Sequence, residues 1–289
     1  MLVLFTDSDT DFDLEKCKEY GYKLISMPYI IDGKEIYPYV DFKEFDYKTF
    51  YGMLRKGTLP KTTALSPVDY VKYFEPEFAA GNDIFYVHFS AAMTGTFNSM
   101  HIALEELKEK YPERKFYEVD TKGITLGSYN ICLEIGELYL QGKSVEDMIK
   151  WAEKEVDRYA CYFYADDLKF FKKSGRVSGL AAFFGGMIGV KPIIYMNGEG
   201  KMATYGKARG RAQAFQKICD IIAELQDDMK NHRIIIAHAD CFELAKSFAE
   251  VVKERFGNDI NIEYSIVNPT AGSHCGPNTL GISFHSKHR

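Results

Sequence analysis

Apolar runs and helical segments alternate through the first 165 residues of the chain. The runs are rich in Val, Ile, Tyr and Phe and predict five strands, over 2–6, 23–31, 83–90, 115–120 and 159–165. Helical patterns separate most of these runs, most clearly at 45–56, 67–80, 94–111, 124–141 and 144–157. Strands that alternate with helices imply right-handed crossovers and a mainly parallel sheet. We therefore predict an α/β, Rossmann-like domain over residues 1–165.

The pattern changes after residue 166. Asn-Gly-Glu-Gly at 197–200 lies between two alternating runs and predicts a hairpin. The remaining segments predict helices over 166–173, 209–229 and 241–256, and strands over 233–239, 261–267 and 279–285. This order favours an α+β domain with a mixed or antiparallel sheet over residues 166–289. A chain of 289 residues has the right length for two such domains.

Charge and hydrophobicity exclude several classes of partner. A formal net charge of −5, with no basic run beyond short pairs, argues against binding to nucleic acid. The apolar stretch 177–190, which contains neither a charged residue nor a histidine, is too short to span a bilayer. The N-terminal sequence MLVLFTDSD has the pattern of a first strand and lacks the basic flank of a signal peptide. We expect a cytoplasmic protein with no integral membrane segment.

The spacing of histidines, cysteines and glycines gives no support for a metal or a cofactor. The seven histidines form no paired zinc-binding pattern, and the six cysteines lie far apart, as reduced buried thiols do. His238, Asp240 and Cys241 are close in sequence. They are compatible with a metal or catalytic cluster and equally with an ordinary loop that ends in a helix cap. No glycine-rich loop follows the first strand, where a nucleotide-binding α/β domain has one. We expect neither a metal nor a cofactor.

Polar loops follow several of the predicted strands. They span 6–11, 61–67, 90–96 and 120–125, and since ligands lie beyond the carboxyl ends of parallel strands, we expect them to face one site. Ser90 and Thr94 come just before a long helix, where hydroxyls and free N–H groups suit an anion such as a carboxylate. Thr62 lies in a similar place before another helix. Ordinary helix capping accounts for the same hydroxyls.

A single imidazole, His274, lies in the sequence TAGSHCGPNTLGI at 270–282. Three glycines and a proline predict a sharply bent loop between two strands, and such a loop lets the backbone approach a ligand closely. A structural histidine and a ligand-binding histidine are both compatible with this position.

Several short motifs are informative when taken together. They are TDSDTDF (6–12), TTALSP (62–67), SAAMTGTFNS (90–99), VDT (119–121), KSGRVSG (173–179), GVKPII (189–194) and GSHCGPNTLGI (272–282). In this order, and over nearly the whole chain, they resemble the DegV family. The resemblance implies two α/β domains with a long-chain fatty acid at their junction, its carboxylate held by hydroxyls and its tail in an apolar tunnel. Some members of the family that this chain resembles are the acyl-carrying subunit of bacterial fatty acid kinase. They present the carboxylate of the fatty acid to a separate ATP-binding subunit, and the resemblance implies the same role here.

The resemblance also assigns roles to single residues. Thr62 and Ser90 match the family's head-group hydroxyl positions, and His274 matches the histidine of its Gly-x-His-x-Gly-Pro loop. Thr94 stands where serine is usual and keeps the hydroxyl. The chain is expected to bind the fatty acid without catalysing a reaction of its own.

Further positions either match or depart from the family pattern. Arg176 and Arg209 match arginines that face the partner or the phosphate in the kinase-coupled members. The chain also departs from the family pattern at five positions. Ala64 and Leu65 replace the usual Gln-Pro, and Ala91 replaces a usual second serine. Cys275 and Asn278 stand where threonine and glycine are common. These departures bear on how the head group is held.

The uncharged stretch near residue 180 is the expected source of the acyl tunnel. An apolar tunnel needs large apolar side chains, because each buried methylene of the ligand gains about 0.8 kcal/mol. The side chains that we expect there are Leu180, Phe183, Phe184, Met187 and Ile188.

A hydrolase or acyl transferase is the alternative function. Ser90 or Thr94 would then be the nucleophile and His274 the base that activates it. The sequence contains no Gly-x-Ser-x-Gly elbow and offers no evident third residue to orient the imidazole.

Overall fold

The computed structural model describes residues 1–178 and 189–289. Its strands are β1 (Leu2–Asp7), β2 (Tyr22–Ile25), β3 (Tyr29–Ile31), β4 (Lys34–Ile36), β5 (Lys61–Thr62), β6 (Asp83–His88), β7 (Phe116–Asp120), β8 (Tyr159–Tyr164), β9 (Val177–Ser178), β10 (Val190–Met196), β11 (Met202–Arg209), β12 (Ile234–His238), β13 (Ile262–Ile266) and β14 (Leu280–His285). Its helices are α1 (Leu14–Tyr20), α2 (Tyr47–Arg55), α3 (Pro67–Ala79), α4 (Thr96–Lys110), α5 (Leu126–Leu140), α6 (Val145–Glu155), α7 (Leu168–Ser174), α8 (Gly210–Leu225), α9 (Phe242–Phe256) and α10 (Pro269–Cys275).

The first sheet is parallel throughout. Its strand order is β2-β1-β6-β7, and helices connect each strand to the next parallel one. The predicted parallel sheet in the first half of the chain is confirmed. Helix α3 begins as the sequence indicates, because Ser66 and Asp69 cap each other reciprocally and Pro67 occupies the first helical position.

The second sheet is mixed, as predicted for the second half of the chain. Its order is β13-β12-β14-β8-β10-β11-β9, with antiparallel pairs in the centre and a parallel pair at each edge. Strand β8 lies in the middle of this sheet, so the expectation that 159–165 continues the first, parallel sheet is wrong. Two successive helices, α5 and α6, separate β8 from β7, and α5 carries the chain across to the second sheet.

A small antiparallel sheet, β4-β3-β5, lies beside the first one. The run 23–31, predicted as one strand, is divided into β2 and β3, and Pro28 in the break lacks the N–H that a continuous ladder needs. Tyr29 on β3 pairs with Thr62 on β5. This short pairing fixes the position of Thr62.

The two larger sheets lie in layers with helices between and outside them. Helices α3 and α4 cover one face of the first sheet, and α5 fills the space between the first sheet and the second. Helices α8 and α9 cover the far face of the second sheet. Helix α5 is buried on almost every side, which explains its nearly uniform apolar sequence.

The segment around His274 is a helix and not the bent loop that the glycines predict. Asn268 caps α10 by accepting a hydrogen bond from the Ala271 N–H at 2.9 Å, and Pro269 occupies the first helical position. The helix ends at Gly276, whose φ of 73° and ψ of 174° suit glycine almost exclusively. His274 therefore lies in the last turn of α10.

Two further features concern the described part of the chain only. Among residues 1–178 and 189–289, none of the helices has both the length and the apolar character to cross a bilayer. The same residues contain no cluster of three or more side chains suited to a metal ion. His238, Asp240 and Cys241 lie at the junction of β12 and α9, where the His238 ring accepts a hydrogen bond from the Cys241 N–H at 3.4 Å.

Gly276→Ala tests how tightly the end of α10 is packed. An added Cβ would overlap the buried ring of Phe170, so we expect a loss of about 3 kcal/mol or more in the free energy of unfolding, from backbone strain and overpacking together. Gly33→Ala is the matched control, because Gly33 also has a positive φ, 79°, but has nothing within 4 Å of the added atom. It should lose only about 1–2 kcal/mol. Denaturant unfolding measures both, and equal losses would contradict the packing argument.

Candidate functional site

A cavity lies between the loops of the first sheet and the inner face of the second. About 910 Å³ within it is free of protein atoms, part of it open to solvent. All four loops that the sequence singled out contribute to its wall, through Asp9, Thr62, Thr94 and Thr125 among others. The carboxyl ends of parallel strands thus meet at one site, as the strand order requires.

One wall of the cavity is the inner face of the second sheet. Cys161 and Phe163 alternate along β8 on this face, while their neighbours point to the opposite core beneath α8 and α9. Gly281 and Ala237 line the cavity from the adjacent strands β14 and β12. A Cβ on Gly281 would approach the Phe163 Cβ to 2.7 Å, so the packing of β14 against β8 requires glycine there.

The rest of the wall is also mainly apolar. It comes from loop and helix residues around the first sheet and α7. The apolar members are Met27, Phe89, Met93, Ile124, Leu126, Phe171, Met202, Val267 and Ala271. Large apolar side chains therefore surround most of the cavity.

Three polar side chains that line the cavity form what we call its polar end: Thr62, Arg176 and His274. Thr62 Oγ1 lies 3.0 Å from His274 Nε2, so the two side chains share a hydrogen bond whose direction depends on the imidazole tautomer. Thr94 Oγ1 accepts a hydrogen bond from the Thr96 N–H at 3.2 Å, which leaves its own proton free to turn. Arg176 is exposed and donates to the Ser174 carbonyl oxygen at 2.6 Å.

The imidazole of His274 is neutral near pH 7. Burial and, as the smaller cause, the positive charge of Arg176 together lower its pKa to about 4. A neutral imidazole has one donor nitrogen and one acceptor nitrogen. His274 and Thr62 together can therefore offer a hydrogen-bond donor to an anion while Arg176 supplies the positive charge.

Ser90, expected as a head-group ligand, does not belong to the described wall of the cavity. It is fully buried, and its hydroxyl donates to the Gly200 carbonyl oxygen at 2.7 Å. The contact is so close that a Cβ on Gly200 would overlap Ser90 Oγ. In this structure Ser90 joins the β6 loop to the β10–β11 turn, and its contact with a ligand stays a prediction.

The other expected positions are divided. Thr62, His274 and Arg176 come together at the polar end, and Thr94 also lines the cavity, whereas Arg209 lies on a separate hollow beside Lys207, Gln213 and Lys217. The five residues expected to form the tunnel, Leu180, Phe183, Phe184, Met187 and Ile188, lie outside the described residues.

The departures from the family pattern have separate consequences. Cys275 lines the cavity, and Leu65 is buried in the core beneath α3 and α4. Ala91 N–H donates to Asp120 Oδ2 at 3.3 Å, and Asn278 Oδ1 accepts from Arg55 Nη2 at 3.2 Å. The exposed Ala64 is not part of the described wall.

The sequence analysis missed several hydroxyls and one acid that line the cavity: Thr63, Thr96, Thr125, Thr270, Thr279 and Asp9. Thr270 precedes His274 by four residues, so a helical interpretation of the segment would have placed both on one face. The bent-loop interpretation concealed this relationship.

The family comparison covers the whole chain. The family model described as "Uncharacterised protein, DegV family" matches residues 1–287. A DegV domain-containing protein of Clostridium perfringens is 33% identical over 283 residues, which cover 98% of this chain and 96% of that protein.

Solved structures share the fold from end to end. A DegV family protein from Thermus thermophilus, described by its fatty acid binding, superposes with a TM-score of 0.87 at 23% identity and 99% coverage of both chains. A stearic acid-binding protein from Eubacterium ventriosum gives 0.87 at 20% identity, again over 99% of both chains. DegV of Bacillus subtilis, described as a fatty acid binding protein, gives 0.80 at 24% identity and the same coverage. At these identities the likeness shows the fold.

Arg176→Met tests the electrostatics of the polar end. Removing the guanidinium should raise the pKa of His274 from about 4, yet leave it below 6.5, because burial is the larger cause of the shift. Arg209→Met removes a cation away from this cavity and should leave the pKa of His274 unchanged. Long-range ¹H–¹⁵N spectra of the imidazole during a pH titration measure the value. A wild-type pKa at or above 6.5 would show that His274 is not desolvated.

Proposed function

The chain belongs to the DegV family, as its motifs indicate, and we propose that it binds a long-chain fatty acid in this cavity. The carboxylate lies at the polar end and the hydrocarbon runs along the apolar wall. The descriptions of the structural relatives from Thermus thermophilus, Eubacterium ventriosum and Bacillus subtilis support the choice of ligand.

The observation that carries this proposal is the distribution of polarity around the cavity. Most of the wall is apolar, and Thr62, Arg176 and His274 form its polar end. A fatty acid has the same distribution, with one charged end and a long apolar remainder.

Magnitudes indicate which contacts supply affinity and which supply selectivity. Burial of some fifteen methylenes gains roughly 12 kcal/mol before the costs of association. A hydrogen bond to the charged head adds only about 1.5–3 kcal/mol. The tail therefore supplies most of the affinity, and the polar end determines which head group is accepted.

The charges at the polar end suit an ionised carboxylate. Arg176 is the cation that lines the cavity in the described residues, and it balances the single negative charge of the ligand. The Thr62–His274 pair adds uncharged donors, and a bound carboxylate would favour the protonated imidazole and raise its pKa.

The geometry gives less support to a hydrolase or acyl transferase. Among the described residues, His274 has a hydrogen bond with Thr62 and none with Ser90 or Thr94. The proton of Ser90 is donated to the Gly200 carbonyl oxygen. An imidazole with a pKa of about 4 is also a weak general base at neutral pH.

The finer form of the proposal is that the protein carries the acyl group and presents its carboxylate to an ATP-binding kinase subunit. The exposed position of Arg176 at the polar end supports it, since a partner could reach the head group there. ATP consumption that requires the fatty acid, this chain and the partner together would test it. Consumption by the partner and fatty acid alone would contradict it.

Identification of the co-purifying lipid tests the proposed function directly. Organic extraction and mass spectrometry should show one acyl species per chain, and delipidated protein should take up palmitate or oleate. Delipidated protein that remains folded but binds neither acid in calorimetry would overturn the proposal.

His274→Ala separates selection of the head group from uptake of the tail. Wild-type protein should prefer palmitate to hexadecanol, and the variant should lose about tenfold or more of this preference while it retains most of its affinity for the alcohol. His101→Ala, an exposed histidine on α4, is the matched control. Equal losses for both ligands would contradict the division of roles between head and tail.

A further inference from the structure

Asp9 differs from its two acidic neighbours in how its carboxyl group is held. Asp7 Oδ1 accepts a hydrogen bond from the Asp9 N–H, and Asp7 Oδ2 accepts from Tyr86 Oη and the Phe89 N–H, at 3.0–3.2 Å. Asp11 Oδ1 accepts from the backbone and the side chain of Asn268 at 2.9 and 2.8 Å. Both carboxyl groups therefore have structural partners.

Asp9 is only 3% exposed, and it is the acid of this group that lines the cavity. Within the described parts of the chain, its Oδ1 has no hydrogen-bond partner. Its backbone is fixed on both sides, because its N–H is bound to Asp7 and its carbonyl oxygen accepts from the Thr125 N–H at 2.9 Å. The carboxyl group of Asp9 is therefore held in place in the wall of the cavity.

Two hydroxyls of the wall donate their protons elsewhere. Thr270 Oγ1 donates to the Met27 carbonyl oxygen at 3.0 Å, and Thr279 Oγ1 donates to the Cys275 carbonyl oxygen at 2.9 Å. Thr270 is near enough to hydrogen-bond the Asp9 carboxyl group, but it has one proton, and turning it toward Asp9 would break its bond to the Met27 oxygen. These two hydroxyls thus cannot satisfy every acceptor at once.

A plain hydrocarbon would offer this carboxyl group no hydrogen bond. Burial, together with the nearby carboxylates of Asp7 and Asp11, raises the pKa of Asp9 well above its ordinary value, which favours the protonated form. A protonated carboxyl group can donate one hydrogen bond and accept others. A hydroxyl on the acyl chain has the matching capacity and is small enough to replace a hydrogen atom of a methylene.

We propose that Asp9 selects fatty acids that carry a hydroxyl group on the hydrocarbon chain over their unsubstituted counterparts. The inference rests on the proposed function and adds the class of fatty acid to it. Thr270, which lies near Asp9, precedes His274 by one turn of α10, a rise of about 6 Å. The hydroxyl therefore belongs several carbons away from the carboxylate and not at the head group.

Binding of stearate and of its 3-, 10- and 12-hydroxy derivatives to delipidated protein tests the proposal. At least one hydroxylated isomer should bind wild-type protein about tenfold more tightly than stearate, since it pairs a group that is otherwise buried without a partner. Asp9→Leu should reverse the order, with stearate binding more tightly than in the wild type and the favoured isomer more weakly. Asp9→Asn keeps a donor and an acceptor and should retain part of the preference.

The outcomes distinguish this inference from the function on which it rests. Stearate binding with no preference for any hydroxylated isomer, as expected if water satisfies Asp9, would overturn the inference alone. A preference that survives in Asp9→Leu, with the fold verified by circular dichroism, would overturn it as well. Failure of wild-type protein to bind stearate and all of the isomers would overturn the proposed function and the inference together.

Discussion

The attachment of α10 to the loops of the first sheet is the constraint on which the candidate site depends. Asp11 holds both the backbone and the side chain of Asn268, the residue that caps this helix. Tyr51 Oη donates to the Val267 carbonyl oxygen at 2.8 Å, and Thr270 donates to that of Met27. These bonds join segments more than 200 residues apart, and they place His274 against Thr62. A buried carboxyl group is costly unless it is hydrogen-bonded, so the position of Asp11 requires that of the helix.

The cavity follows from small residues at positions where a sheet normally packs with large ones. Ala237, Cys161 and Gly281 lie on the inner face of neighbouring central strands, while the opposite face of the same strands is filled by α8 and α9. Unfilled apolar space costs stability because its lining loses packing contacts. A ligand that fills the space and binds only the folded protein restores those contacts and raises its stability by mass action. The fold and the proposed binding of an acyl chain are therefore energetically linked.

The sequence predicted those parts of the structure that depend on local patterns. Period-two runs and the Ser66 cap located most strands and helix α3, and the order of the strands placed the polar loops at one edge.

The destination of β8 was not predictable from pattern, because a fully buried strand looks the same in either sheet. Glycines suggested a loop where Asn268 and Pro269 in fact start α10, and Gly276 serves as its end. Ser90 was assigned to the ligand from its place before a long helix and from the family pattern, and nothing in the sequence indicates that its hydroxyl donates to the Gly200 carbonyl oxygen, more than 100 residues away. The unpaired state of Asp9 is likewise a tertiary property, since Asp7 and Asp11 have the same local sequence context but find donors on distant elements.

Charge as well as hydrophobicity determines which way the proposed ligand enters. Arg176 lies at the polar end with the neutral His274, whereas Asp9 lines the cavity near Thr270, with Asp7 and Asp11 close to it. Burial raises the pKa of Asp7 to about 6 and that of Asp11 to about 7, so these acids are already costly to ionise. A carboxylate placed near them would add a like charge in a region of low dielectric, while the same carboxylate beside Arg176 gains an opposite one. In the proposed binding mode the tail therefore passes Asp9 and the head remains at the cation, which leaves a neutral hydrogen-bonding group on the chain as the substituent that Asp9 can accept.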